Sequence, residues 1–244
     1  MKIRLPELED YAWFPPILRR MQMDFIGWLV EFFQVYRAIV PQIKKLSKNN
    51  STWIDLCSGS GKPVSSIDKH FDEVTSIILT DLYPSNVEKT NGRTRWIVSP
   101  IDTTKKLEVN GFRTMFNAFH HFDTTKKIEI LQNHGKHGIL IAEILEPNIF
   151  NLIKIIFTTT IGQLLFRPFV KPFSISGIFF TYIVPINLLT VTWDGIASVL
   201  KSSNQNELKA IAQTALPGFT IETGKAGKFG MKVIYLLVHP KNDQ

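Results

Sequence analysis

The chain has 244 residues, 44% of them apolar and 20% charged, which suits one large domain or one domain with a small cap and excludes wholesale disorder. Its net charge is +7, but the basic residues are scattered, so a solvated basic face is expected and no nucleic-acid partner. The one cysteine, Cys57, excludes an intrachain disulfide and a cysteine-rich metal site, and no metal is expected.

Met1 to Asp10 is charged and has no apolar core, unlike a signal peptide, so a cytoplasmic setting is expected. Residues 17–36 carry Leu18, Met21, Phe25, Trp28, Phe32 and Tyr36 at three- and four-residue spacing, which predicts an amphipathic helix started by Pro15 and Pro16. Pro41 separates it from a short basic segment, and residues 47–51 read as a turn. Residues 1–50 thus form a helical lid segment.

From residue 52 short apolar runs alternate with helical stretches. Strands are expected at Trp53–Leu56, Ser76–Thr80, Thr94–Val98, Arg113–Asn117, Gly138–Ile144, Phe219–Thr223 and Met231–Val238. Helices are expected at Val64–His70, Ser85–Lys89, Thr124–Asn133 and Asn204–Ala215, the last opened by an Asn204–Glu207 capping box. Such alternation predicts an α/β fold with a parallel, helix-covered sheet, closed by an antiparallel hairpin across the Gly224–Gly230 connection. The core is expected over residues 51–146 and 194–244.

Residues 147–193 interrupt this pattern. The insertion is apolar and punctuated by Pro147, Gly162, Pro168, Pro172, Gly177 and Pro185, which predicts several short helices forming a cap over the carboxyl edge of the sheet. No charge occurs between Lys171 and Asp194, a length that could span a bilayer. Its prolines and polar residues favour a buried or membrane-touching cap instead.

The stretch Thr52–Pro63, TWIDLCSGSGKP, places Gly59 and Gly61 in a turn at a strand end. Glycines there let the backbone approach a ligand, and a following helix points its amides at it. Pro63 stands where a phosphate loop needs a hydroxyl residue, and a dinucleotide fingerprint lacks its third glycine. Asp55, Asp81 and Asp102 lie at the ends of three successive predicted strands beside this turn, and an acid after the second strand suits a ribose.

With these residues together, the sequence resembles the class I S-adenosylmethionine-dependent methyltransferases. WIDLCSGSG is similar to their first motif, ILTDLYPSN to their second, SPIDTTK to their third, and MFNAFHHF to the segment around their fourth strand. Ser58 stands where the family often has glycine. The resemblance covers about residues 52–146 and 195–238. It implies a Rossmann-like seven-stranded sheet with an antiparallel last strand and S-adenosylmethionine as cofactor. Asp55, Cys57, Ser58, Gly59 and Gly61 would hold the methionine part, Asp81 with Leu82 the ribose, and Ile101 with Asp102 the adenine. Asn117 and Ala118 would lie near the sulfonium. The flanks, LEDYAWFPPILRR and FFTYIVPINLLTVTWDGIASVLKS, are similar to uncharacterised bacterial members of that superfamily.

His120 and His121 closely follow the fourth strand, where a neutral imidazole can act as general base. Glu143 and Glu146 end the fifth strand and are candidates for orienting a polar substrate. Tyr11, Trp13, Phe14, Phe180, Tyr182 and Trp193, with Asp194 as a polar handle, suggest a pocket for a small hydrophobic or aromatic substrate. The expected function is methyl transfer to such a metabolite. The alternative is a non-catalytic cofactor-binding protein whose apolar cap docks a partner or touches a membrane. Oligomeric state is not legible.

Overall fold

The computed structural model describes residues 5–48, 50–84, 92–228 and 230–241. The helix expected at Ser85–Lys89 lies outside them. Seven strands form one sheet: β1 (Thr52–Leu56), β2 (Ser76–Leu79), β3 (Thr94–Trp96), β4 (Phe112–Phe116), β5 (Ile139–Glu143), β6 (Thr220–Ala226) and β7 (Val233–His239). Their order is β3-β2-β1-β4-β5-β7-β6, with β7 antiparallel to both neighbours. The expected strands, the closing hairpin and the seven-stranded arrangement are all present.

Side chains alternate between the two faces of the sheet. Trp53, Ile77, Phe112 and Leu140 point to one face, where they meet Tyr36, Ile39, Ile43 and Phe71. Ile54, Ile78, Met115 and Ile141 point to the other, where α4 (Thr124–His134) and α9 (Gln205–Ala215) cover them with Ile130, Leu131, Leu208 and Ala212. Asp123 caps α4, and the Asn204–Glu207 capping box opens α9 as expected.

The amino-terminal helix α1 (Pro16–Phe32) ends earlier than the periodicity predicts, because Gln34 adopts a left-handed conformation. Pro41 does not isolate a segment; it lies in the first turn of α2 (Val40–Ser47), where its missing N–H costs nothing. The helix after β1 is only α3 (Lys62–Ser65), followed by a 3-10 turn at Asp68–His70.

The insertion also departs from expectation. α5 (Ile149–Phe157) runs through a π turn at Thr158–Gly162 into α6 (Gln163–Phe166) and a last turn ending at Phe169, a single helical run of 21 residues. Gly162 is absorbed by the π turn and Pro168 falls in the terminal turn, so neither breaks the run. α7 (Ile175–Ile178) continues through Ile183, and α8 (Ile186–Lys201) follows at an angle of 83°. The uncharged 172–193 stretch is therefore bent, and α8 runs unbroken across the expected boundary at 193/194. Among the described residues, Ile149–Phe169 is the one unbent helix long and apolar enough to cross a membrane.

Candidate active site

The sheet reverses its winding between β1 and β4, where open α/β folds bind ligands. Two residues just beyond these strand ends, Cys57 (φ 55°) and Asn117 (φ 50°), adopt left-handed backbone that side-chain-bearing residues rarely accept. Strained positions of this kind cluster at functional sites. Gly59 and Gly61 are also left-handed, and a β-carbon on Gly61 would press on Leu79 and Trp96 at 3.1 and 3.2 Å. Helix α1 comes so close to the turn that a β-carbon on Gly27 would lie 2.4 Å from Ser60 Oγ. Lys62 Nζ, 2.7 Å from Glu31 Oε2, ties α1 and α3 together.

Asp81 joins the two loops. Its carboxylate accepts from Gly59 N and Tyr83 N, each at 2.8 Å, with one oxygen per loop. Asp55 lies beneath the turn, fully buried. Thr114 donates to its Oδ1, while Oδ2 has no hydrogen-bond partner. Burial pushes its carboxyl up to about 7 against the hydrogen bond from Thr114. The Cys57 thiol is driven well above its ordinary range by burial and the neighbouring carboxylates, so it is no nucleophile at neutral pH.

A cavity of about 720 Å³ opens along this edge. Cys57–Ser60, Asp81–Tyr83 and Asn117–Ala118 form its polar wall; Met23, Phe25, Ile26, Leu29, Leu145 and Val191 form much of its apolar one. His120 and His121 stand at its end, their rings stacked 4.5 Å apart. The two histidines are held differently. His120 Nδ1 lies 2.6 Å from Glu143 Oε2, and Glu143 Oε1 accepts from Phe119 N at 2.7 Å. Burial raises the Glu143 carboxyl, but its pairing with His120, together with Lys127 and the Phe119 amide, outweighs it and holds the group below its usual range.

His121 faces the amino-terminal segment, with Nδ1 2.8 Å from Asp10 Oδ1 and 3.4 Å from Glu7 Oε2. Burial disfavours its charge, yet Glu7, Asp10 and Glu9 surround it and hold its pKa at about 10. It is therefore an imidazolium at neutral pH. Glu7, His120 and His121 bring three ligand-type atoms within 4.8 Å of one another, a spacing a metal could use. The ammonium of Lys201, 2.7 Å from Glu7 Oε1, already supplies the positive charge there.

Asp194 fastens the same amino-terminal segment. It accepts from Leu8 N (2.6 Å), Glu9 N (3.2 Å) and Gln22 Nε2 (2.9 Å). Arg19 donates to the carbonyls of Glu9 and Tyr11 and lies over the Tyr83 ring at 4.3 Å.

Of the residues singled out in the sequence, Cys57, Ser58, Gly59, Asp81, Leu82, Asn117, Ala118, His120, His121 and Asp194 line one cavity. Asp55 and Gly61 support it from behind. Ile101 is tied to this edge by its N–H to the Asp81 carbonyl, whereas Asp102 is exposed and bound to Thr104. The aromatic set does not gather there. Tyr11 lines an adjoining crevice of about 360 Å³, and Phe14 and Phe180 pack with Leu18 and Met21. Trp13 is exposed and stacks on Tyr11, Tyr182 donates to the Leu164 carbonyl, and Trp193 donates to the Pro6 carbonyl. Glu146 pairs with Lys225 at 2.6 Å. Glu7, Gly27 and Lys201, and the pairing of Glu143 with His120, arise from contacts between distant segments, which no local pattern signals.

No protein-family model matches this chain, and no curated protein matches it. Solved structures do. Human N-acetylserotonin methyltransferase in complex with S-adenosylmethionine superposes with a TM-score of 0.56 at 12% identity, over 90% of this chain and 55% of that one. The methyltransferase domain of bacterial CtHen1-CN gives 0.51 at 12% identity, over 86% of this chain and 98% of that one. The O-methyltransferase NcsB1 from neocarzinostatin biosynthesis gives 0.50 at 14% identity, over 87% of this chain and 56% of that one. The chain thus spans little more than half the length of the human enzyme and of NcsB1. The chain, with its seven-stranded sheet and antiparallel β7, thus has the Rossmann-like α/β fold of these S-adenosylmethionine-dependent methyltransferase structures.

Proposed function

We propose that this protein transfers a methyl group from S-adenosylmethionine to a small, apolar acceptor. The carrying observation is that one cavity joins Cys57–Ser60, the Asp81 carboxylate and Asn117–Ala118 to an apolar compartment ending at the His120–Glu143 pair. The residues fit the cofactor. Asp81 bridges the strand ends where two ribose hydroxyls would be accepted, a β-carbon placed on Gly59 would meet nothing closer than Met23 Sδ at 3.8 Å, and the buried Asp55 Oδ2 lacks a partner beneath the turn.

When bound, the cofactor supplies an electrophilic methyl on a sulfonium. The chain aligns the acceptor, excludes water and takes up a proton. Glu143 holds His120 Nδ1, which leaves the opposite nitrogen, Nε2, 4.0 Å from Glu7 Oε2, to accept the acceptor's proton as its oxygen or nitrogen attacks. His121, held protonated by its carboxylates, contributes positive charge rather than a second base. Met23, Ile26, Leu29 and Leu145 favour an acceptor with an apolar body.

Calorimetry tests the cofactor half of this reading. The wild-type chain should bind S-adenosylmethionine, and Asp81→Ala should weaken binding at least about tenfold, the loss of roughly one charged hydrogen bond. A wild-type chain without affinity for the cofactor would overturn it.

A further inference from the structure

The cap is built inside out. On the helical run Ile149–Phe169, the side packed against the body carries Asn151, Thr159 and Gln163, all buried, while Ile149, Ile153, Phe157, Ile161, Leu165 and Phe169 are exposed. Those exposed residues recur at four-residue steps, one continuous stripe along the helix. The start of α8 shares this feature: Asn187 and Thr190 are buried, with Val191, while Leu189 is 69% exposed. Arg167, in the last turn of the run, is buried, and Ile175 beyond it is 79% exposed. Helices of water-soluble domains show the opposite polarity. Polar residues inside and large apolar ones outside are the arrangement that a hydrocarbon surround favours.

The charge pattern names the surface. Between Glu146 and Asp194 there is no acid, and of the three cations Arg167 is buried, Lys154 turns inward and Lys171 is exposed. A two-fold contact between copies of this chain would bring Lys171 and a net charge of +7 against their own kind, whereas anionic lipid headgroups complement both. The helix also lies along the body rather than projecting from it. Lys154 Nζ donates to the Ile144 carbonyl at 3.4 Å near one end, and Phe166 packs at 5.6 Å from Trp28 and 6.4 Å from Phe32 near the other. The chain leaves β5 and returns through α8, which packs on α1 and the amino-terminal segment. Such a cap rests in one leaflet and does not cross.

We propose that the outer face of residues 149–189 lies in the headgroup–acyl boundary of a membrane carrying anionic lipids. The same helix presents Ile155, Thr158 and Thr159 to the large cavity. A lipid-dissolved acceptor is then separated from the large cavity by this one helix, a step that rests on the methyl-transfer reading. Flotation of the full chain on a density gradient with vesicles of phosphatidylcholine, with and without phosphatidylglycerol, tests this. The wild type should float with the anionic vesicles. Phe157→Asp with Leu165→Asp, both at exposed positions outside the cavity wall, should cut flotation about tenfold or more, with S-adenosylmethionine affinity unchanged. A wild-type chain that stays at the bottom with both vesicles overturns the proposal, as does a double variant that floats equally well or a stable dimer that ignores lipid. Stronger flotation with neutral vesicles overturns the headgroup assignment. Flotation without cofactor affinity would spare the membrane face and sink the methyl-transfer reading alone.

Discussion

Two adjacent histidines, their rings 4.5 Å apart, are held by different neighbours. His120 is clamped by one buried carboxylate through Nδ1, whereas His121 is ringed by three from the amino-terminal segment. A base must be neutral to accept a proton, so a pKa near 10 removes His121 from that role at neutral pH. His120→Ala should lower turnover about 10²-fold or more while leaving cofactor affinity intact. His121→Asn should keep most of the turnover at pH 7. Equal losses from the two substitutions would refute this division of roles. Sequence reading paired the histidines and could not separate them, because Glu7, Glu9 and Asp10 lie more than a hundred residues away in the chain.

At the scale of elements, the amino-terminal segment is fastened by one side chain of α8. Asp194 accepts both the Leu8 and Glu9 amides and the Gln22 amide, so it behaves as a cap supplied from a distant helix. Asp194→Ala leaves those donors without acceptors, at a cost of about 1–3 kcal/mol. Amide exchange at residues 8 and 9 should accelerate while β4 and β5 stay protected; unchanged exchange at Leu8 would count against this anchoring. The α9 capping box was readable because its partners lie three residues apart. The continuous helix Ile149–Phe169 was not, because the breakers Gly162 and Pro168 sit where a π turn and a helix end tolerate them.

For the whole molecule, the buried titrating groups set a direction for stability against pH. Asp55 and Glu9, each raised to about 7 mainly by burial, hold protons in the folded state that the unfolded chain releases near pH 4. Their contribution therefore falls as pH rises from about 4 to about 7. His121, raised to about 10, gives stability that is complete below about 6.5 and is lost as pH climbs through 10. Asp10 and Glu143, both lowered, act oppositely and lose their contribution only in acid. Melting temperature should thus decline from mildly acidic to alkaline pH. Asp55→Asn should raise it at pH 8 and flatten the slope between pH 4 and 7; a lower melting temperature for this variant at pH 8 would contradict the buried-carboxyl account.

By itself the sequence determined the sheet, its closing hairpin and the line of acids beside the glycine turn. These follow from alternation of period two, turn residues and short spacings, all local to the chain. Only the tertiary structure decided that His120 meets Glu143, that Glu7 and Asp10 surround His121, that α1 closes on the turn at Gly27, and that the aromatic residues mostly lie outside the cavity. It also decided which side of the cap helices faces outward. Apolar composition measures how much surface must avoid water, but the direction a helix turns that surface is set by what packs against its other side.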